Sequence, residues 1–332
     1  MARSHLTLAA LATAAVADLD VARATAFGSN SGGDFSSALL TGRDGRDWVI
    51  RMPRNPRAEA EQSADLVALR ALSPGVRARL PFAVSTFAGQ VPFQGSRAVV
   101  YEYVHGDKVP LQRVDPTLAA SIGRAIAAIH QLPTTFVTDA GLPTMTAVES
   151  LRATLSIIDR ASATGLVPAL LQSRWEAATD DHLLWQFQPT VINGELSAES
   201  ILSAGDAVSG VLGWQELRIG DPAKDLCWLL SAPTESADAA LDAYMAARGG
   251  TDRQLKHRAV LYAELELARW LLHGTEVRDT SIVDDAVAML HGLVDRVQND
   301  VMNPISPQTM PTPTVSEVEA LLDAAERRTG SA

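Results

Sequence analysis

Hydrophobic positions come in short alternating runs early in the chain and at helical spacing through most of the remainder. Residues 24–51 read as strand, Gly-rich turn, strand, turn, strand. Phe27-Gly-Ser-Asn-Ser-Gly-Gly-Asp34 supplies the first turn and Gly42-Arg-Asp-Gly45 a hairpin turn. Phe35 to Leu40 and Trp48-Val-Ile-Arg-Met52 are the strands around that hairpin. From 57 to 72 the period lengthens, and Leu66, Leu69 and Leu72 share one helical face. Ala98 to Val104 returns to a β-branched and aromatic strand, which His105-Gly-Asp-Lys108 breaks.

The second half is mainly helical. Leu118, Ile122, Ile126 and Ile129 predict a helix over 116–131, stopped by Pro133. A longer helical stretch over 146–178 breaks between Gly165 and Pro168. Val191 to Trp214 reads strand, loop, strand, turn, strand. Helices follow over about 236–247, 253–273 and 280–298, the middle one striped by Leu261, Leu265, Ala268 and Leu272. Asn303 to Pro313 reads as an extended proline-rich linker. Beyond it, Thr314 and Ser316 each offer a capping box to an amphipathic helix that could dock in cis or take a protein partner.

Composition narrows the class. With 47% hydrophobic and 20% charged residues, 332 residues can bury the cores of two lobes. A net charge of −11 argues against a nucleic-acid surface and is compatible with a cationic small molecule. The single cysteine, Cys227, excludes an intrachain disulfide and reads as a small buried hydrophobe. Arg3, the apolar stretch Leu6–Val16 and Ala15-Val-Ala17 meet the outline of a secretory signal, but the stretch is alanine-rich and only moderately hydrophobic and reads rather as a short helix. No other apolar run reaches about 18 residues, so no membrane span is expected. The seven histidines show no metal-ligand spacing.

The richest segment runs from Val191-Ile-Asn-Gly-Glu-Leu-Ser-Ala-Glu-Ser-Ile-Leu202 through Val211-Leu-Gly-Trp214 to Gly220-Asp-Pro222. It resembles the catalytic core of the aminoglycoside and macrolide phosphotransferases, whose pattern is approximately H-G-D-L-H-x-x-N-[IV]-L, I-D-W and G-D-P-x-x-D-L. Gly194, Leu196, Ile201, Leu202, Trp214, Gly220, Asp221, Pro222, Asp225 and Leu226 match it. The Trp48–Arg54 strand leans toward the macrolide branch. The resemblance covers about residues 15–300. It implies an α+β, two-lobed protein-kinase-like fold: a small antiparallel sheet with one helix in the N-lobe, over residues 1–104, and a larger helical C-lobe, over 105–302, with a catalytic-loop region at 191–226. Residues 303–332 are left as linker and terminal helix.

What the resemblance implies for chemistry is mixed. Phosphoryl transfer needs a phosphate-covering loop, a cation, metal ligands and a group that orients the acceptor hydroxyl. Gly28, Ser29, Asn30, Ser31 and Gly32 stand at the loop, and Arg51 stands where a lysine is usual. Glu61, with Glu59 as the alternative, stands for the partner carboxylate of that cation. Backbone groups at Glu102 and Val104 would hold the base. Glu195 takes the place of the hydroxyl-orienting aspartate, one methylene longer. Asn193 and Ser197 fall at the two histidine positions, Ser200 at the metal-binding asparagine and Gly213 at the metal-binding aspartate. Glu199, Gln215 or Glu216 would have to supply the missing oxygens.

Two readings follow. One is a catalytically degraded, pseudokinase-like protein with a retained nucleotide or small-molecule cleft. The other is an active, cytoplasmic small-molecule kinase using ATP or GTP with Mg²⁺ and Glu195 as base. Asp221 and Asp225 read as structural, Asp221 as the cap of a helix beginning at Pro222.

Overall fold

Period-2 alternation in the first hundred residues builds a five-stranded antiparallel sheet in the order β1-β2-β3-β6-β5. The structure, a computed structural model, describes residues 4–28, 33–250, 252–299 and 305. Ser29 to Gly32 and the helix anticipated after Pro313 lie outside these. The sheet comprises β1 (Val21–Ala26), β2 (Phe35–Gly42), β3 (Asp47–Pro53), β5 (Phe87–Phe93) and β6 (Ser96–Glu102). One face carries Leu40, Trp48, Ile50, Met52 and Val100, packed on Leu8 and Ala12 of helix α1 (His5–Ala15). The intervening residues Val49, Arg51, Val99 and Tyr101 therefore point the other way, toward α2 (Pro56–Ala71) and the second lobe. Alternation thus aims the Arg51 guanidinium at the cleft.

The short-helix reading of the N-terminal stretch corresponds to α1, and besides α1 and the anticipated α2 the first lobe carries the single-turn α3 (Pro74–Arg77). Asn55 caps α2, its side-chain oxygen accepting from the Ala58 amide at 2.8 Å, with Pro56 at the first helical position. A short strand β4 (Ala83–Val84) leaves the first lobe and pairs in parallel with β9 (Ala207–Val211) of the second.

The second lobe is built on α4 (Pro116–His130), α5 (Thr135–Asp139), α6 (Ala147–Ser162) and α7 (Ala169–Asp180). These lead into β7 (Thr190–Ile192), β8 (Ile201–Ala204), β9 and β10 (Arg218–Gly220). Helices α8 (Thr234–Arg248), α9 (Leu255–Val277) and α10 (Thr280–Asn299) close the lobe. The anticipated break in 146–178 separates α6 from α7. One core runs through both lobes, from Leu66 and Leu69 of α2 through Ile122 and Ile126 of α4 to Trp214 and Tyr262. A second joins α6, α7, α9 and α10 around Trp175. No helix among the described residues is long and apolar enough to cross a membrane.

Candidate functional site

The turn after β7 is held from behind by one buried carboxylate. Asp225 accepts hydrogen bonds from the amides of Asn193 (2.7 Å) and Gly194 (2.8 Å). It lies 3.2 Å from His130 Nε2, whose Nδ1 meets the Tyr244 hydroxyl at 2.8 Å. Gly194 has φ of 91°, and a methyl there would come within 2.5 Å of the Glu216 carbonyl oxygen, so glycine alone fits this turn. The buried Asn193 side chain donates from Nδ2 to the Gly213 carbonyl at 2.7 Å. Asp221 caps the short 3-10 turn Pro222–Asp225, accepting from the Ala223 amide. Its other oxygen takes Arg258 Nε at 2.8 Å and the Tyr262 hydroxyl at 2.9 Å. Retention of Asp221 and Asp225 therefore serves the scaffold, as their place in the motif predicts. Cys227 is half-buried, and burial pushes its thiol up to about 12, so it is inert.

A cavity of about 810 Å³ opens between the lobes, a size suited to a small ligand. Gly28, Val49 and Arg51 line its roof, Tyr103, Val104 and Gly106 its back, and Ser200, Leu212 and Gly213 its floor. The Val104 amide donates no hydrogen bond to another described residue. The Glu102 side chain is turned away to Arg46, at 2.7 Å. Of the sequence candidates for the phosphate-covering turn, Gly28 borders this space, and Ser29 to Gly32 lie outside the described residues.

Arg51 lies over the Phe35 ring, 3.9 Å from its centroid. It forms no ion pair with Glu61, although both border the cavity. Burial raises the Glu61 carboxyl, and Arg51 opposes the shift. Glu59 faces a separate hollow beside Pro53 and Phe93. The residue that sequence reasoning missed is Asp65, one turn beyond Glu61. It is buried, borders the cavity and accepts the Trp214 amide at 2.9 Å. Burial raises its carboxyl, with the Trp214 amide and Arg51 opposing. A signal existed: Asp65 is a charge beside Leu66 and Leu69 on a face that must pack.

The oxygens that would hold a divalent cation are poorly placed. Gly213 has φ of 72° and no side chain. Glu199 pairs with Lys108 at 2.7 Å, and Glu216 pairs with Arg218. Gln215 donates to Glu195 at 2.8 Å, and the Ser200 hydroxyl sits 3.5 Å from that of Ser197. No cluster of three or more His, Cys, Asp or Glu suited to a metal occurs among the described residues. The donor set therefore does not fit Mg²⁺. Glu195 itself remains exposed at the edge of the site.

Comparison with known proteins agrees with this geometry. The profile of the phosphotransferase enzyme family matches residues 28–260. The uncharacterized protein YcbJ of Bacillus subtilis (strain 168) is 24% identical over 233 residues, covering 67% of this chain and 75% of its own. Apo macrolide 2'-phosphotransferase MphH from Brachybacterium faecium superposes with a TM-score of 0.72 at 23% identity, over 86% of this chain and 98% of its own. Macrolide 2'-phosphotransferase type I gives 0.68 at 25% identity, over 86% and 96%. The GDP complex of wild-type aminoglycoside 2'-phosphotransferase-IIIa gives 0.70 at 18% identity, over 90% and 100%. These likenesses show a kinase-like α+β fold. With the profile spanning both walls of the cleft and the whole catalytic loop, well over half its length, the chain belongs to the phosphotransferase enzyme family.

Proposed function

We propose that this protein is a catalytically degraded member of its family that keeps a nucleotide or small-molecule cleft, with ATP or GTP as the nucleotide. One observation carries the reading: the metal-ligand position is Gly213, and the neighbouring carboxylates that could replace it are held in ion pairs, Glu199 with Lys108 on the cavity lining and Glu216 with Arg218. A triphosphate needs its charge neutralised, chiefly by cations and metal. Here Arg51 faces the cavity with Glu61 and Asp65 beside it. A loss of that order leaves binding more intact than turnover, because positioning errors of about 1 Å cost on the order of a hundredfold in rate. The GDP complexes of solved neighbours support a nucleotide as occupant. A nucleotide ligand is also why we place the protein in the cytoplasm.

The rival reading, an active kinase for a small-molecule hydroxyl, is favoured by the retained Glu195 carboxylate, exposed beside the cavity and oriented by Gln215. Thermal denaturation with ATP and with GTP, each with and without Mg²⁺, separates the two. Stabilisation by nucleotide that is indifferent to Mg²⁺ is expected. A Mg²⁺-dependent rise in Tm, together with phosphate release that Glu195→Gln removes, would establish the rival.

A further inference from the structure

Five carboxylates and two cations line the cavity between the lobes. Glu102 is answered by Arg46 and Glu199 by Lys108. That leaves Glu61, Asp65 and Asp107 against Arg51 alone. Arg51 lies over the Phe35 ring and forms no ion pair among the described residues. An anionic ligand therefore meets a net negative lining, and a cation meets carboxylates that nothing else neutralises.

Two of these acids share one wall. Glu61 and Asp65 stand one turn apart on α2, on the same face, and both border the cavity. Glu61 forms neither hydrogen bond nor ion pair among the described residues. Asp65 accepts the Trp214 amide, one residue past Gly213. Beside it on β6 stands Tyr101, which borders the same cavity and is only 5% exposed. The Tyr101 hydroxyl is buried next to the Asp65 carboxylate, with no partner at hydrogen-bond geometry. A buried hydroxyl left so is unfavourable, as is carboxylate charge on a desolvated wall. One group relieves both, a cation that donates hydrogen bonds. Two carboxylates are too few for a metal ion here, whereas an ammonium has three N–H donors for three acceptors.

We propose that Glu61, Asp65 and the Tyr101 hydroxyl form an ammonium subsite on the α2 wall of the cavity, which takes the protonated amine of a small organic molecule. The apolar body of that molecule lies along Val49 and Leu212, which line the same space. The inference rests on the reading of this cavity as a ligand cleft and extends it by naming a cationic ligand and the residues that hold it. The ammonium donates to both carboxylates and to the Tyr101 oxygen, whose own hydrogen turns to Asp65.

The test is calorimetric titration of the full chain, without nucleotide, with 2-phenylethylamine, its neutral counterpart 2-phenylethanol and the anion 3-phenylpropanoate. Saturable one-to-one binding of the amine is expected, about tenfold or more tighter than the alcohol, with no binding of the anion. Glu61→Gln and Asp65→Asn are each expected to weaken amine binding about tenfold, as loss of a charge-assisted contact should. Glu61 is half-buried and bonds nothing else, so Glu61→Gln carries the test where Asp65→Asn fails to fold. Glu59→Gln makes the same charge change on the same helix, facing the separate hollow, and is expected to bind the amine like the parent. The subsite is overturned if the amine binds no better than the alcohol, if the folded Glu61 and Asp65 variants bind like the parent, or if Glu59→Gln weakens binding as much as they do. Stabilisation by nucleotide without amine binding would sink the subsite and leave the nucleotide reading standing. Amine binding without stabilisation by nucleotide would do the reverse.

Discussion

Gly213 sits in the left-handed region at φ of 72°, and a methyl built there meets nothing nearer than Gln215 Oε1 at 3.4 Å. Room for a carboxylate thus exists, and aspartate tolerates this backbone at a cost of about 1 kcal/mol. The Gly213→Asp, Ser200→Asn double variant is expected to fold and to gain a Mg²⁺-dependent nucleotide shift that the parent lacks, read by thermal denaturation. Folding without that gain would place the defect outside the metal ligands. Asp65 offers a pH test. Its carboxyl is raised above 3.8 in the folded chain, so stability falls as pH rises from 3.8 toward the raised folded value, where the unfolded chain loses the proton first. Asn at 65 keeps an oxygen for the Trp214 amide and carries no charge. Asp65→Asn should therefore melt above the parent at pH 7, with the difference vanishing toward pH 3.8 and below, where both side chains are neutral.

At the scale of elements, α1 supports the first lobe by packing on one face of its sheet. Its Leu8 is 1% exposed and packs in the core formed with Ile50, Met52 and Val100. Leu8→Ala is expected to cost about 2–4 kcal/mol by denaturant titration, the range for emptying a leucine site. A loss below about 0.5 kcal/mol would mean that α1 is not docked as described. The cap of α2 is smaller in effect: Asn55→Ala removes one hydrogen bond to Ala58 and should cost about 1 kcal/mol in the same experiment. Because α2 carries Glu61 and Asp65, loosening its start should also weaken any ligand that needs Arg51 held in place.

The whole molecule depends on charges buried between distant segments. Arg258 of α9 is fully buried. It bonds Asp221 behind the catalytic loop, the Leu184 carbonyl after α7 and Asp252 before α9. Burial works against its charge, and the two carboxylates raise its pKa in spite of it. Arg258→Met strands Asp221 in the interior and is expected to cost about 3–5 kcal/mol in chemical denaturation, the range for breaking a buried pair from one side. Arg258→Met with Asp221→Asn should recover part of that loss, because the unpaired charge is gone. Lack of recovery would show that the guanidinium serves by packing on Phe187, 4.3 Å away.

Local periodicity was enough to determine much of this protein. Alternation in Trp48–Met52 set Ile50 toward α1 and Arg51 toward the cleft. The stripe Leu118–Ile129 made α4, and the spacing from Gly194 to Asp225 made the loop that Asp225 ties down. These follow from hydrogen bonds and side-chain directions within a few residues. Tertiary structure decided the rest. Helical phase placed Asp65 on a packing face, but only closure of the lobes brought the Trp214 amide to it, 149 residues on. The commitment of Glu199 to Lys108, 91 residues away, likewise depends on how elements far apart in the chain pack. Charges act through space, so their partners cannot be read from order along the backbone.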